Sequence, residues 1–290
     1  MEARPRGDTS IVYVAYADDI IVTCESAANL QIAVSILDEL FGQFGLKIST
    51  PKTKTMIINY AGPEDSYPKS IVKIGSEEIE NVKEFTYLGS KLHFQQAGTG
   101  DAEIQNRINQ ANFKFRELKH LLTNFGIQRE HRLLFYNAYV RSRLCYAAPS
   151  WALTDRQMGR LSACHNSHLR SMVKGGHRRK GGTDRDAIGY DWGYVKTASD
   201  IHESMLTEPV KCFIETQQLK WLAHVVRRPN DVLIKRLTFH AERNSRNHPA
   251  PSTLNQVLRR SNAADVSKDA LYRMCRDRTV LTEFRKRDRS

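Results

Sequence analysis

Asp18 and Asp19 stand side by side in the run Ile11-Val12-Tyr13-Val14-Ala15-Tyr16-Ala17-Asp18-Asp19-Ile20-Ile21-Val22. The flanking residues are apolar and mostly β-branched or aromatic, so they read as two strands buried on both faces. A short polar break between such strands reads as a hairpin turn with the two acids at its tip. Asp favours turns, and that alone explains many Asp pairs. Two acids at the edge of a core nevertheless cost desolvation. Carboxylate oxygens on a rigid turn are also hard donors of the kind Mg²⁺ prefers. Lys52, in Pro51-Lys52-Thr53-Lys54, offers an ammonium that can steady a developing anion and give up a proton; its plain reading is a solvated turn. Phe85, Tyr87, Leu88 and Gly89 lie in Glu84-Phe85-Thr86-Tyr87-Leu88-Gly89-Ser90. Their alternation suits a half-buried strand, and the glycine permits a sharp turn or a close backbone approach.

The elements that must hold these residues are legible in order. Ser26 is placed to cap a helix over 27–44. Leu30, Ala33, Val34, Leu37, Leu40, Phe41 and Phe44 recur at three- and four-residue steps along it, and Gly45 ends it. A basic turn and a strand over 55–59 follow. Residues 71–82 read as a second hairpin, and 84–88 as another strand. Helical spacing resumes with Ile104, Ile108, Ala111, Phe115, Leu118 and Leu122, around which Arg107, Lys114, Arg116 and Lys119 are expected on the remaining, solvated face. Helices over 129–144, 154–173 and 209–228 follow, with Cys212, Phe213, Leu219, Leu222 and Val226 inward in the last. Cys164, His165 and His168 could suggest a metal site, but they have no second ligand pair at a recognisable spacing, so packing is the expectation.

Tyr16-Ala17-Asp18-Asp19 between hydrophobic strands resembles the active-site hairpin of reverse transcriptases, in the form used by non-LTR (LINE-type) retrotransposons. Gly45-Leu46-Lys47-Ile48-Ser49 before Lys52 and Thr53 resembles the next motif of those enzymes, with Ser49 where Asn is usual and Pro51 inserted in the turn. Phe85 to Ser90 resembles the primer-grip hairpin. Three motifs in family order are more specific than any one of them. Gln218 to Pro229 resembles a segment that follows the thumb, with Ala223 in place of the usual Gly. The resemblance implies an α+β chain: a partial polymerase palm over 1–98, a helical thumb over 99–173, a connector over 174–240 and a basic tail over 241–290. It implies Asp18 as a Mg²⁺ ligand with Asp19 as its weaker partner, for two-metal nucleotidyl transfer. It also implies Lys52 as proton donor to departing pyrophosphate. Phe85, Tyr87, Leu88 and Gly89 would position a primer end, and Arg107 and Lys114 would lie along a duplex. The implied partners are an RNA template, a DNA primer and dNTP. A third catalytic Asp lies upstream of the hairpin in the family, and Asp8 is too close to the hairpin to be that separate strand. The expectation is thus a C-terminal part with an incomplete catalytic set, inactive alone. A nucleic-acid-binding remnant without catalysis is the alternative.

Composition narrows the classes. Residues 1–100 carry 9 Lys and Arg against 13 Asp and Glu, a balance of −4; residues 101–240 carry 23 against 13, or +10. An acidic stretch joined to a basic one suits a metal at one place and phosphates along another. No apolar run reaches the ~20 residues of a membrane span, and the N-terminus has no signal-like region. Five scattered cysteines without a secretory signal imply reduced thiols and an intracellular setting, nucleus or cytoplasm. Residues 174–182, rich in Gly, Arg and Lys, and residues 241–253 read as linkers.

Overall fold

A computed structural model describes residues 12–95, 100–174, 197–229 and 232 of the chain. Asp8, Thr99, the basic stretch over 175–182 and the tail over 241–290 lie outside the described residues. The chain divides into two compact units, the second beginning at Asp101.

The first unit holds three two-stranded antiparallel sheets and one long helix among its described residues. β1 (Val12–Tyr16) pairs with β2 (Asp19–Thr23), β3 (Ser70–Ile74) with β4 (Glu77–Glu80), and β5 (Glu84–Tyr87) with β6 (Ser90–His93). Each hairpin closes with two residues, which fixes its register. α1 (Ala27–Gln43) begins at Ser26, whose hydroxyl accepts from the Asn29 N–H at 3.2 Å. It ends where Gly45 adopts φ +71 and the Leu46 N–H reaches back to the Phe41 carbonyl, a stop that favours glycine. Ala33 is buried, and Gln31 ties the helix to β3. Its amide nitrogen donates to the Lys73 carbonyl at 2.9 Å and its amide oxygen accepts from the Lys73 N–H at 2.8 Å. One side chain thus satisfies both backbone groups at that point of an otherwise open edge.

The core of this unit sits below β3 and β4, not below β1 and β2. Val72, Ile79, Phe94 and Tyr67 are buried. The Tyr67 ring packs edge-on against Phe94 at 4.9 Å, and its hydroxyl accepts from the Ile57 N–H and donates to the Val82 carbonyl. Two expectations fail here. β1 and β2 are not buried on both faces: Tyr13 is 71% exposed and Tyr16 64%. Among the described residues no third strand pairs with them, and although α1 packs against β2 it leaves Tyr13 and Tyr16 open to water. Nor is 55–59 a strand. Thr55 makes a single bridge to Asn81, and Asn59 turns the chain at φ +60.

The second unit is helical. α2 (Asp101–Glu117), α3 (Lys119–Leu122), α4 (Arg129–Tyr136), the single turn α5 (Ser142–Leu144) and α6 (Asp155–Lys174) are followed by α7 (Ala198–Met205) and α8 (Val210–Val226). A five-residue π-helical segment, Asn137–Arg141, joins α4 to α5. Reciprocal capping starts two helices: Thr154 with Gln157 at α6, and Thr197 with Asp200 at α7. Leu122, Tyr136, Leu144, Leu161, Leu169 and Met172 are fully buried, and Ile201, Met205, Val210 and Ile214 belong to the same core. Helices α7 and α8 therefore share one core with α2 to α6.

Arg132 shows how this body is closed. Its guanidinium is buried and donates to the carbonyls of Ile127, Leu122 and Met172. Leu122 ends α3 and Met172 lies in the last turn of α6. A cation there answers two sets of helix-end carbonyls at once.

Candidate active site and nucleic-acid interface

The β1–β2 register pairs Tyr16 with Asp19, leaving Ala17 and Asp18 as the turn. Ala17 takes φ +52, a left-handed conformation that costs an alanine about 1 kcal/mol. The strain tightens the turn and puts Asp18 at its tip. Asp19 opens β2 on the face it shares with Val14 and Ile21, because alternate residues share a face and partners lie opposite. Both acids are exposed. Behind them, β2 packs against α1, which is anchored to β3 through Gln31. The acids thus sit at the free end of a hairpin held by one helix.

Residues 1–92 match the family model for reverse transcriptase (RNA-dependent DNA polymerase). The match spans the whole first unit short of its last residues and supports a reverse transcriptase-like polymerase domain there. It covers just under a third of the chain. No curated protein and no solved structure matches.

Reverse transcriptases depend on divalent metal, so the donors deserve a test of fit. Asp18 and Asp19 supply oxygen, the right kind of donor for Mg²⁺, which takes near-octahedral geometry. Their number falls short: among the described residues no group of three or more His, Cys, Asp or Glu side chains is placed to hold a metal. Two carboxylates of suitable chemistry stand together at the hairpin tip, fewer than a two-metal site takes.

Lys52 is exposed on a turn closed by the Lys52 and Thr53 N–H groups to the Ser49 carbonyl. Lys54 is committed elsewhere, to Glu80 at 2.6 Å. Among the described residues no hydrogen bond or ion pair joins Lys52 to Asp18 or Asp19. In the β5–β6 hairpin, Phe85 lies opposite Leu92 and Tyr87 opposite Ser90. Phe85 and Tyr87 are half-buried on one face. Leu88 and Gly89 form the turn at φ +45 and +78, the two positive angles that a type I′ turn requires. Leu88 is unusual at such an angle, and its side chain is exposed at the tip.

The helical unit corrects one expectation about charge. Arg107 is 3% exposed and does not lie on a solvated face. Its Nε donates to Glu103 at 2.7 Å and its guanidinium covers the Tyr146 ring at 4.5 Å. Spacing explains this, since Arg107 falls three residues after Ile104 and four before Ala111, on the buried ridge. Lys114 is half-buried, bonded to Glu117 at 2.9 Å and lying over Tyr139. Arg116, Lys119 and Arg143 remain exposed. Sequence reasoning passed over the aromatic residues among them: Phe113 is 70% exposed, with Phe135 and Tyr139 stacked beside each other and also exposed. The signal was available, because Phe113 falls off the apolar ridge of α2.

Cys164, His165 and His168 are buried and form a hydrogen-bonded core, as packing predicts. Tyr136 Oη meets His165 Nδ1 at 2.8 Å and His168 Nδ1 at 3.4 Å, and His168 Nε2 meets Asn112 Oδ1 at 2.8 Å. The His168 ring stacks on Phe115 at 4.3 Å. Burial pulls His165 down to about 3, helped by His202 and Arg141, and pulls His168 down to about 4. It pushes the Cys164 thiol up to about 11 and Cys145 up to about 12. Neutral imidazoles and protonated thiols belong to a structural core, not to a reactive centre. No helix among the described residues is long and apolar enough to cross a membrane.

Proposed function

We propose that the chain is the C-terminal part of the RNA-directed DNA polymerase of a non-LTR retrotransposon, carrying the end of the palm, the thumb and the segment after it. The observation that carries this reading is the Asp18–Asp19 hairpin tip inside a stretch that matches the reverse transcriptase family. In this reading Asp18 and Asp19 are two carboxylates of a Mg²⁺ set completed by a third acid outside the described residues. Lys52 faces the departing pyrophosphate. The turn at Leu88 and Gly89, braced by Phe85 and Tyr87, positions the primer end. The helical unit, basic on balance, holds the phosphates of an RNA template paired with a DNA primer. Arg107 acts inside the fold by holding Glu103 and Tyr146, and Lys114 borders the outer surface.

The second reading, nucleic-acid binding without catalysis, is favoured by the same count of donors: two carboxylates do not make a two-metal site. Both readings predict no primer extension by the chain alone, and an extending chain would contradict both. On a primed RNA template with Mg²⁺ and dNTP, the chain alone gives no product. Extension that is abolished by Asp18→Ala would show a complete catalytic set and overturn the expectation of an inactive chain.

A further inference from the structure

A recess of about 590 Å³ opens on the helical unit, lined by Asn109, Gln110, Asn112, Phe113, Arg116 and Arg143. Its chemistry is uneven in an informative way. No carboxylate is among the described residues that line it. Arg116 is exposed and, among the described residues, makes no ion pair. Arg143 spends one nitrogen on the Tyr139 carbonyl, at 2.9 Å, and its other donors have no partner among the described residues. Phe113 leaves 70% of itself in water, although an aromatic ring gains from being covered.

Asn112 is oriented from behind. Its Oδ1 lies 2.8 Å from His168 Nε2 and 3.5 Å from Cys164 Sγ. With the oxygen accepting from the buried side, the amide NH₂ is the group left for the recess. The buried His168 therefore sets which way a residue of the surface points.

We propose that this recess holds an unpaired nucleotide of a single strand: its base stacks on Phe113, its phosphates meet Arg116 and Arg143, and a base carbonyl accepts from the Asn112 amide. This rests on the nucleic-acid reading above and makes it specific. An aromatic face, two guanidiniums and an amide donor are the parts a single strand uses. Paired bases hide their faces in the stack, so a duplex cannot use Phe113. An acidic peptide could use the arginines but has no need of the ring.

The test measures fluorescence anisotropy of the full chain with a short labelled oligothymidylate and, separately, with an RNA–DNA duplex. Phe113→Ala is expected to weaken the single strand about 5- to 100-fold and to leave the duplex within about twofold. Phe113→Trp should keep single-strand affinity, and its fluorescence should be quenched by the oligonucleotide. Arg116→Gln with Arg143→Gln should lower the single-strand salt slope by about 1.4. Equal oligothymidylate affinity for wild type and Phe113→Ala, with duplex binding intact, overturns the recess and leaves the wider reading standing. Equal competition by thymidine monophosphate or by polyglutamate overturns it too. Failure of wild type to bind either probe overturns both.

Discussion

Lowering the pH from 7.5 to 5.0 should strip the helical unit of a large part of its stability, through His165 and His168. Both are buried with folded pKa values near 3 and 4, against 6.5 for the free side chain. The unfolded chain therefore takes up protons below pH 6.5 that the folded chain refuses until about pH 4 or 3. More protons on the unfolded state means stability is full above 6.5 and is lost as the pH falls. At pH 5 the loss depends only on the unfolded value, since both folded values lie well below; it is about 2 kcal/mol for each histidine. Half-buried His202 pushes in the same direction. Of the groups facing the pair, only the Glu208 backbone favours an imidazolium, and burial outweighs it; Tyr136 and the two thiols stay protonated, and Arg141 is a cation. A total of about 4 kcal/mol is a large share of a typical domain's 5–15 kcal/mol. Urea unfolding can be followed by the fluorescence of Trp151, which is buried. The midpoint should fall by roughly 2 M at pH 5.0, for a slope near 2 kcal/mol/M. His168→Gln can still donate to Asn112 but cannot titrate, and it should halve the fall. A midpoint stability at pH 5.0 within about 1 kcal/mol of that at 7.5, or an unchanged pH dependence in His168→Gln, would refute the reasoning.

Two further outcomes follow from side chains held by identified partners. Glu103→Ala leaves the buried Arg107 charge without its carboxylate and should cost about 3–5 kcal/mol, whereas replacing Glu103 and Arg107 together by Leu and Met should recover most of it; thermal melting of wild type and the two variants checks this. Gln31→Ala removes both bonds to the Lys73 backbone and should destabilise the first unit by about 1–2 kcal/mol. Hydrogen exchange at the Lys73 N–H should rise with it, and unchanged protection there would show that α1 is held to β3 by other means.

Local signals explain most of what could be read in advance. Ser26 and Gly45 bracket α1 because a hydroxyl cap and a left-handed stop act within a few residues. The β3–β4 hairpin follows from Gly75, which takes φ +58 in the turn. What could not be read depends on partners distant in sequence. Tyr13 and Tyr16 stay exposed where, among the described residues, no further strand pairs with β1, and an apolar strand cannot report that about itself. α1 carries a second apolar row, Ile32, Ile36, Leu40 and Phe44, that is also exposed, so its amphipathic spacing did not settle which side packs. The burial of Arg132 needed three carbonyls, two of them at the ends of other helices. Arg107 is different: its place on the Ile104–Ala111 ridge, four residues after Glu103, was visible, and grouping it with Lys114, Arg116 and Lys119 on the solvated face overlooked it. The acids at the hairpin tip were legible as a pair, but not the strain at Ala17 that presents them.

The central claim is that a reverse transcriptase hairpin is joined here to a helical unit that grips nucleic acid through phosphates. The most direct test is the affinity of the whole chain for an RNA–DNA duplex across a salt series, for wild type and for Asp18→Ala. Binding that weakens linearly in log–log form, with the slope of several released counterions, and is the same in both proteins is the result expected. A duplex affinity that does not change with salt, or no binding at low salt, would contradict it.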